Sequence, residues 1–276
     1  MLNDLYLNEH VKNALIEDIG FGDITTENIA EETDYLKGSL NTREDAILCG
    51  SNVFKKVYEL LSKDVVVNFY FSDGDSIRKG DTVADIEGPA KYILMGERVA
   101  LNYIQRMSGI ATETRKYQDA IGDNKAKIVD TRKTTPNFRP FEKYSVKVGG
   151  GAIHRFNLSD CAMIKDNHIR LAGSITSAVE KIRANISHAH KIEVECDTLE
   201  QVKEALTTDV DIIMLDNMDT ETMKKACALI NGSKIIEASG NVNLNTVKLI
   251  AECGVDIISS SAIVAKAKAI DLGLDM

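Results

Sequence analysis

The sequence predicts an α/β protein whose C-terminal part is a shortened β/α barrel. Short apolar segments alternate with helical segments after about residue 127, and this repetition is typical of a parallel sheet. The part after residue 108 has about 168 residues, whereas a complete eight-fold barrel needs about 250. An open, doubly wound sheet is the alternative. We predict strands at 127–130, 161–164, 191–194, 210–215, 234–238 and 255–258, and helices at 172–185, 197–207, 219–230 and 243–252.

The N-terminal part also contains helices and strands, without regular alternation. Residues 7–18 place apolar side chains at helical spacing. Residues 91–107 are predicted as another helix, which Ser108-Gly109 interrupts before a helical run to about residue 121. We place the domain boundary in this connector, giving domains 1–108 and 109–276. The other predicted elements are a strand pair in 35–50, an amphipathic helix in 52–62, a strand in 64–71, and two short strands separated by a Gly-Asp turn in 72–88.

Composition excludes several classes of protein. The net charge of −9 and the pI near 5.2 argue against nucleic-acid or anionic-membrane binding. The N-terminus lacks the basic and apolar regions of a signal peptide, and no apolar run reaches the length of a membrane span. The five cysteines show no metal-ligand spacing. We therefore expect a cytoplasmic protein with reduced thiols.

Positive charge is concentrated in residues 130–170. This segment holds eight Lys or Arg against four carboxylates, although the whole chain is acidic. Burying unpaired cations is unfavourable because they lose their hydration. The segment is therefore predicted to bind a multiply anionic ligand, with a solvated loop-and-helix region as the alternative.

The residues that follow the predicted strands form a consistent set. In β/α barrels the active site lies at the carboxyl ends of the strands, on the loops that follow. Cations follow the first two strands, carboxylates the third and fourth, and small hydroxyl residues the fifth and sixth. In chain order they are Arg132 and Lys133, Lys165, Glu195, Asp216, Ser239-Gly240 and Ser259-Ser260-Ser261, with His154 and Arg155 on the first loop.

Each side chain in this set has a physical use. Arg132 and Arg155 can bind a carboxylate or a phosphate through two parallel hydrogen bonds, and lysines act as point charges. Glu195 and Asp216 suit Mg²⁺ or the hydroxyls of a sugar. The serine-containing turns offer N–H and O–H donors for a phosphate. The set fits a sugar carrying several phosphates together with a second acidic substrate.

Structural alternatives remain open for individual members. Glu195 and Asp216 could be carboxylates of ordinary helix N-termini. His154 and His168 could be hydrogen-bonded structural histidines. Glu193 alternates in phase with Glu195 and is expected to face inward, balancing a lysine.

Several longer motifs resemble the nicotinate-nucleotide pyrophosphorylase (carboxylating) family, also called quinolinate phosphoribosyltransferase. The similarity runs in order along nearly the whole chain. The motifs are EDIGFGDIT (17–25), ERVALNYIQRMSGIAT (97–112), TRKTTP (131–136), EKYSVKVGG (142–150), HR (154–155), IKDNH (164–168), EVEC (193–196), LDNM (215–218) and EASG (237–240).

The resemblance implies an N-terminal α/β sandwich domain and a C-terminal barrel of six to seven strands. It also implies a homodimer, or a hexamer built from dimers, in which Arg98 reaches quinolinate across the subunit interface. Lys133, Lys165, Glu195 and Asp216 would be catalytic, with Mg²⁺ held mainly through the substrate pyrophosphate, near the two acids. The implied substrate-binding residues are Arg98, Thr131, Arg132, Lys133, His154, Arg155, Lys165, Glu195, Asp216, Ser239, Gly240, Asn241, Ser259, Ser260 and Ser261.

The chain departs from the family pattern mainly at the expected 5′-phosphate end. Asn241 stands where the family usually has the second glycine of SGG, and Ser261 replaces a glycine. Val264-Ala265-Lys266 replaces Thr-His-Ser. Elsewhere, Asn137 follows Pro136 in place of a glycine, and Ile153 replaces an asparagine.

The expected reaction is quinolinate plus phosphoribosyl pyrophosphate giving nicotinate mononucleotide, pyrophosphate and CO₂, with no prosthetic group. Two enzyme alternatives are a paralogous family associated with molybdate transport and a nicotinate phosphoribosyltransferase without decarboxylation. A non-catalytic anion-binding or carrier module is the third. Segment 72–88 resembles lipoyl and biotinyl carrier modules, with Lys79 beside its turn.

Overall fold

The structure is a computed structural model that describes residues 3–276. Its elements, in chain order, are α1 (Asp4–Ile19), α2 (Thr26–Ile29), β1 (Tyr35–Thr42), β2 (Ala46–Ile47), α3 (Ser51–Leu61), β3 (Val66–Phe69), β4 (Ser76–Ile77), β5 (Thr82–Pro89), α4 (Ala90–Ile121), β6 (Lys127–Val129), α5 (Arg139–Val148), β7 (Cys161–Ile164), α6 (Asp166–Ala172), α7 (Ile175–Arg183), β8 (Lys191–Cys196), α8 (Leu199–Leu206), β9 (Ile212–Asp216), α9 (Thr220–Ile230), β10 (Ile235–Ser239), α10 (Val247–Ala251), β11 (Ile257–Ser259), α11 (Ala262–Ala265) and β12 (Leu272–Asp275).

Among the described residues, the first compact unit consists of 3–115, 136–150 and 267–276. Its antiparallel sheet has the order β12-β1-β5-β3, and β2 pairs with β4 in a small second sheet. The core includes Phe141 from α5, and Ile270 and Leu272 near the C-terminus. Those side chains explain why two segments distant in sequence belong to this unit. The boundary predicted near residue 108 lies inside α4 and stays a prediction.

Two predictions for this unit are wrong. The strands of 35–50 exist, but they do not pair with each other, because β1 pairs with β5 and β12 while β2 pairs with β4. The helix predicted to break at Ser108-Gly109 is continuous as α4. Gly109 serves packing instead: a Cβ there would lie 1.9 Å from the carbonyl oxygen of Lys268. Ser108 exchanges two hydrogen bonds with the main chain of Cys49, at 3.0 and 3.1 Å.

The second compact unit consists of residues 116–135 and 151–266. Its six strands form one parallel sheet in the order β6-β11-β10-β9-β8-β7. The first strand pairs with the last, so the sheet follows the order of a barrel, with β6 and β7 as the edges of an opening. Ala152 forms a single parallel bridge with Val129 at the free edge of β6. This is the incomplete β/α barrel that the sequence predicts.

The barrel strands are apolar because helices cover them on one side and the barrel interior on the other. Strand side chains alternate between the two faces. On β8 this places Glu193 and Glu195 on one face, and on β10 Glu237 and Ser239 share a face. None of the helices within residues 3–276 combines the length and apolar character that a membrane span requires.

Candidate active site

A cavity of about 400 Å³ lies at the carboxyl ends of the barrel strands. Ten of the predicted substrate-binding residues line it, together with Met163, Met214 and Glu237. The ten are Thr131, Arg132, Lys133, His154, Arg155, Lys165, Glu195, Asp216, Ser239 and Ser259. The loops of one rim thus bring the predicted cations and both predicted acids together, although these residues are spread over almost 130 positions of sequence.

The cationic side of the cavity is held by contacts within the barrel unit. The Arg155 guanidinium donates to the carbonyl oxygen of Cys161 at 2.9 Å and lies 3.5 Å from the sulfur of Met163. Lys165 forms an ion pair with Glu195 on the neighbouring strand. Arg132 and Lys133 are exposed on the loop after β6. Such a set can bind carboxylates or phosphates and still contact a neutral hydroxyl through Glu195.

His168 supports the main chain at Lys165. The Lys165 N–H donates to His168 Nδ1 at 2.9 Å, and the His168 N–H donates to the Lys165 carbonyl oxygen at 2.8 Å. This reciprocal pair fixes the first turn of α6. His168 is therefore a hydrogen-bonded structural histidine, one of the two roles open to it from the sequence.

Glu195 and Asp216 are not helix caps. Thr198 caps α8 and Asp219 caps α9, each with a side-chain oxygen that accepts a main-chain N–H. The two predicted acids instead point into the cavity, where Asp216 accepts a 2.5 Å hydrogen bond from the Asn217 amide. Their oxygens are hard donors of the kind that Mg²⁺ prefers.

The turns after β9 and β10 pack tightly against each other. The Asn217 N–H donates to the Ser239 carbonyl oxygen at 3.0 Å, and a Cβ on Gly240 would lie 2.1 Å from Asn217 Oδ1. Gly240 has φ +86°, so glycine is required for both space and conformation. Gly240, Asn241, Ser260 and Ser261 do not line the cavity themselves, but they flank Ser239 and Ser259, which do.

Two departures from the family pattern preserve the backbone. Asn241 has φ 52° and Asn137 has φ 62°, the left-handed region that glycine normally occupies. Asparagine is the residue that tolerates this region best after glycine. At Asn241 the side chain also donates to Asn217 Oδ1 at 3.3 Å. The substitution therefore retains the turn after β10 and adds a link to the turn after β9.

A buried group of three ionisable residues lies at the cavity, and two of them, His154 and Glu237, line it. His154 Nε2 is 3.2 Å from a Glu237 oxygen and 3.6 Å from a Glu193 oxygen. Burial alone would lower the pKa of His154, but the hydrogen bonding and negative charge of the two glutamates outweigh it and raise that pKa. Burial raises the pKa of Glu193, and the charge of Glu237 adds to this effect. The two carboxylates therefore favour a proton on His154 Nε2, the nitrogen that faces them.

Sequence reasoning expected Glu193 to balance a lysine, whereas the structure places it beside His154. It missed Glu237 altogether. The available signal was a lone carboxylate two residues before Ser239 in the apolar strand IIEAS. Strand alternation puts these two side chains on one face.

Arg98 lies in the other compact unit, exposed on α4, and does not line this cavity. It shares one helix face with Lys91 and Leu94, which precede it at helical spacing. Lys91 pairs with Glu27 at 3.4 Å, which ties this face to the segment before β1. That segment exposes Phe21, Ile24 and Ile29.

Comparisons with known proteins agree with this geometry. The models of the quinolinate phosphoribosyl transferase N-terminal and C-terminal domains match residues 23–108 and 110–275. A probable nicotinate-nucleotide pyrophosphorylase [carboxylating] of Bacillus subtilis (strain 168) is 40% identical over 275 residues, covering 100% of this chain and 95% of its own. The crystal structure of NadC from Streptococcus pyogenes is 41% identical with a TM-score of 0.97, covering 100% and 98% of the two chains. That of nicotinate-nucleotide pyrophosphorylase from Ehrlichia chaffeensis is 43% identical with a TM-score of 0.92, covering 97% of each.

Proposed function

This chain belongs to the quinolinate phosphoribosyltransferase family, and we propose that it transfers the phosphoribosyl group of phosphoribosyl pyrophosphate to quinolinate with loss of CO₂. The products are nicotinate mononucleotide and pyrophosphate, which places the reaction in NAD biosynthesis. The observation that supports this most strongly is the single cavity that four cations and two acids line together, namely Arg132, Lys133, Arg155, Lys165, Glu195 and Asp216.

Quinolinate is a planar ring with two adjacent carboxylates, and the cationic side of the cavity suits it. Arg132 and Arg155 can each bind a carboxylate through two parallel hydrogen bonds. Lys165 adds a point charge from the next strand. Binding at both carboxylates fixes the ring plane, so the ring nitrogen can be held close to the carbon that it attacks.

Phosphoribosyl pyrophosphate occupies the other side in this proposal. Glu195 and Asp216 accept hydrogen bonds from the ribose hydroxyls, and the turns at Ser239 and Ser259 lie at neighbouring strand ends. Main-chain N–H groups and serine hydroxyls there bind the 5′-phosphate. Asn241 joins this subsite through the turn that it stabilises, and Ser260 and Ser261 through the start of α11.

The chemistry requires charge stabilisation more than proton transfer. The bond between C1 of the ribose and the pyrophosphate oxygen breaks, and the electron pair leaves with pyrophosphate while cations offset its charge. The ring nitrogen then forms the new bond to C1 and becomes positively charged. The adjacent carboxylate leaves as CO₂, its bonding pair remains on the ring carbon beside the cationic nitrogen, and a proton replaces it. Lys133 and Lys165 are the two candidates to stabilise that carbanion.

The donor set also fits Mg²⁺ bound with the substrate. Glu195 and Asp216 supply hard oxygens, but Lys165 and Asn217 already contact them. Two partly engaged carboxylates suit a cation whose other ligands come from pyrophosphate, as is usual for Mg²⁺. When bound, the ion would neutralise charge on the departing pyrophosphate.

We also propose that the active form is a homodimer, or a hexamer of dimers, in which Arg98 acts on the partner's quinolinate. Phe21, Ile24 and Ile29 are 76% or more exposed, an apolar surface that a second copy would cover. The face of α4 that carries Arg98 adjoins this surface through the Lys91–Glu27 ion pair. We further assign the protein to the cytoplasm, where its five free cysteines would remain reduced.

One assay tests this function. Quinolinate labelled in the carboxyl group beside the ring nitrogen is incubated with the protein, Mg²⁺ and phosphoribosyl pyrophosphate, and released CO₂ is counted. We expect release that requires both phosphoribosyl pyrophosphate and Mg²⁺ and that is stoichiometric with nicotinate mononucleotide. Equal turnover with nicotinate would support the non-decarboxylating alternative. No turnover of either compound would favour the molybdate-associated paralogue or a non-catalytic module.

A further inference from the structure

Two glutamates lie on the inner face of the barrel sheet, and one of them, Glu237, is part of the cavity lining. Glu193 on β8 is 0% exposed and Glu237 on β10 is 1% exposed. Barrel interiors are usually filled by branched apolar side chains. A buried carboxylate is strongly unfavourable unless a partner offsets its lost hydration. Neither residue has a place in the reaction described above.

His154 connects these glutamates to Arg155. Its Nε2 faces the Glu237 carboxylate at 3.2 Å, and its Nδ1 accepts the N–H of Arg155 at 2.7 Å. The main-chain N–H of His154 donates to the buried Asp130 carboxylate at 2.9 Å. Both ring nitrogens are therefore engaged by the protein, and His154 acts on its neighbours rather than through a ring nitrogen on the substrate.

The same geometry argues against a metal ion at His154, Glu193 and Glu237, whose ligand atoms lie within 4.8 Å of one another. A metal ligand must offer an unprotonated nitrogen. Because Nδ1 accepts a hydrogen bond, the ring hydrogen is on Nε2, the nitrogen that faces both carboxylates. The Nε2–H group is a donor to Glu237 and cannot ligate a cation.

The main chain at Arg155 depends on such hydrogen bonds, because no regular secondary structure holds it in place. It follows the three glycines at 149–151 and lies outside any helix or strand. The segment is attached to the β6 strand and its end by the Ala152 N–H, which donates to the Ile128 carbonyl oxygen at 2.8 Å, and by the His154–Asp130 bond. Glu237 holds the His154 ring through Nε2, and the ring in turn accepts the main-chain N–H of Arg155 at Nδ1.

We propose that Glu237 is a positioning residue that holds His154 and, through it, the main chain of Arg155, so that the Arg155 guanidinium meets the quinolinate carboxylate. This rests on the proposed function of the cavity. Glu193 lies 3.6 Å from the same His154 nitrogen, beyond hydrogen-bond distance, and adds negative charge beside it. The link ends at Arg155, on the quinolinate side. It therefore affects binding of quinolinate and not of phosphoribosyl pyrophosphate.

Three variants test this in the CO₂-release assay. Glu237→Ala removes the acceptor for His154 Nε2–H, and Glu237→Gln retains an acceptor oxygen of nearly the same size. Glu252→Ala, at an exposed site beyond α10, is the control. We expect Glu237→Ala to raise the KM for quinolinate about tenfold, the effect of one lost buried hydrogen bond. The KM for phosphoribosyl pyrophosphate should change less than about twofold, and Glu237→Gln should recover most of the loss.

A double-variant cycle with Arg155→Lys separates positioning from general stability. If Glu237 acts through Arg155, Glu237→Ala should have little further effect on the quinolinate KM once the guanidinium is gone. An equal rise in both KM values, or full additivity with Arg155→Lys, would overturn the proposal. If Glu237→Ala does not fold, the quinolinate KM of Glu237→Asp in the two Arg155 backgrounds decides, because the shorter side chain keeps a carboxylate but draws it away from His154 Nε2. Additivity there again overturns it. Inactivity of the unmodified protein would instead refute the proposed function.

Discussion

Lys165 at the end of β7 forms an ion pair with Glu195 at the end of β8, and both side chains face the same cavity. The Lys165 side chain is 45% exposed and that of Glu195 is 15% exposed. An ion pair whose lysine is this exposed contributes little to folding, because water screens its charge. We therefore interpret this ion pair as substrate-binding: the lysine binds an anionic group, and the carboxylate accepts a hydrogen bond from a hydroxyl.

Lys165→Ala and Arg132→Ala should each lower kcat roughly 100- to 1,000-fold, the usual effect of removing a preorganised charge or a substrate-positioning side chain from an active site. Both variants should keep the melting temperature of the unmodified protein within a few degrees, because both side chains are partly or fully exposed. Lys181→Ala, an exposed lysine on α7, is the control for loss of a surface charge. Near-normal rates in both site variants would refute their roles.

Arg98→Ala should be inactive alone and recover activity when mixed with Lys165→Ala. In a dimer whose sites exchange Arg98, a mixed dimer contains one site with both residues intact. Random association should restore about a quarter of normal activity, because half of the dimers are mixed and half of their sites are complete. Steady-state rates of separate and mixed variants measure this. If mixing restores nothing, Arg98 does not act across an interface.

Gly109→Ala distinguishes a packing glycine from a helix-breaking one. If Gly109 weakened α4, alanine would stabilise the protein by about 1 kcal/mol. The close approach of Lys268 predicts the opposite, a loss of about 2 kcal/mol or more in the free energy of unfolding. Urea denaturation measures the sign directly. Asp119→Ala, exposed on the same helix, should change stability by less than about 0.5 kcal/mol.

Asp211 should make stability depend on pH. Burial alone would raise its pKa, but the N–H of Ile192 at 2.8 Å and the Arg183 guanidinium at 3.0 Å outweigh burial and lower it. Because the folded pKa is below the unfolded one, the stabilisation is present above the unfolded value of about 3.9 and is lost as pH falls through the folded pKa.

Asp211→Asn should therefore cost about 1 kcal/mol at pH 7, a value reduced for the 34% exposure of this side chain. The difference from the unmodified protein should shrink as the pH falls below about 4. Asp209→Asn, at a 78% exposed partner of the same arginine, is the control. A difference that is the same at pH 7 and pH 3 would contradict this account.

The residues at the strand ends could be predicted because parallel strands in register place their ends at one rim, so position along the chain sufficed. The pairing of β1 with β12 could not be predicted, because it joins Leu40 to Leu274 across most of the sequence. The sequence predicts a helix break at Gly109 because glycine has a low helix propensity. The helix continues there, because the glycine makes room for the main chain of Lys268, a neighbour that the sequence does not reveal. Glu237 was missed because an isolated carboxylate in an apolar strand reveals its partner, His154, only in three dimensions.

We infer that one rim of the barrel binds quinolinate through its cationic side chains. A crystal structure of the protein with quinolinate tests it most directly. We predict that the two carboxylates lie within about 3 Å of donors on Arg132, Arg155 or Lys165. The ring nitrogen should face Glu195 and Asp216. Quinolinate bound elsewhere, or bound with its carboxylates turned away from these cations, would contradict the assignment.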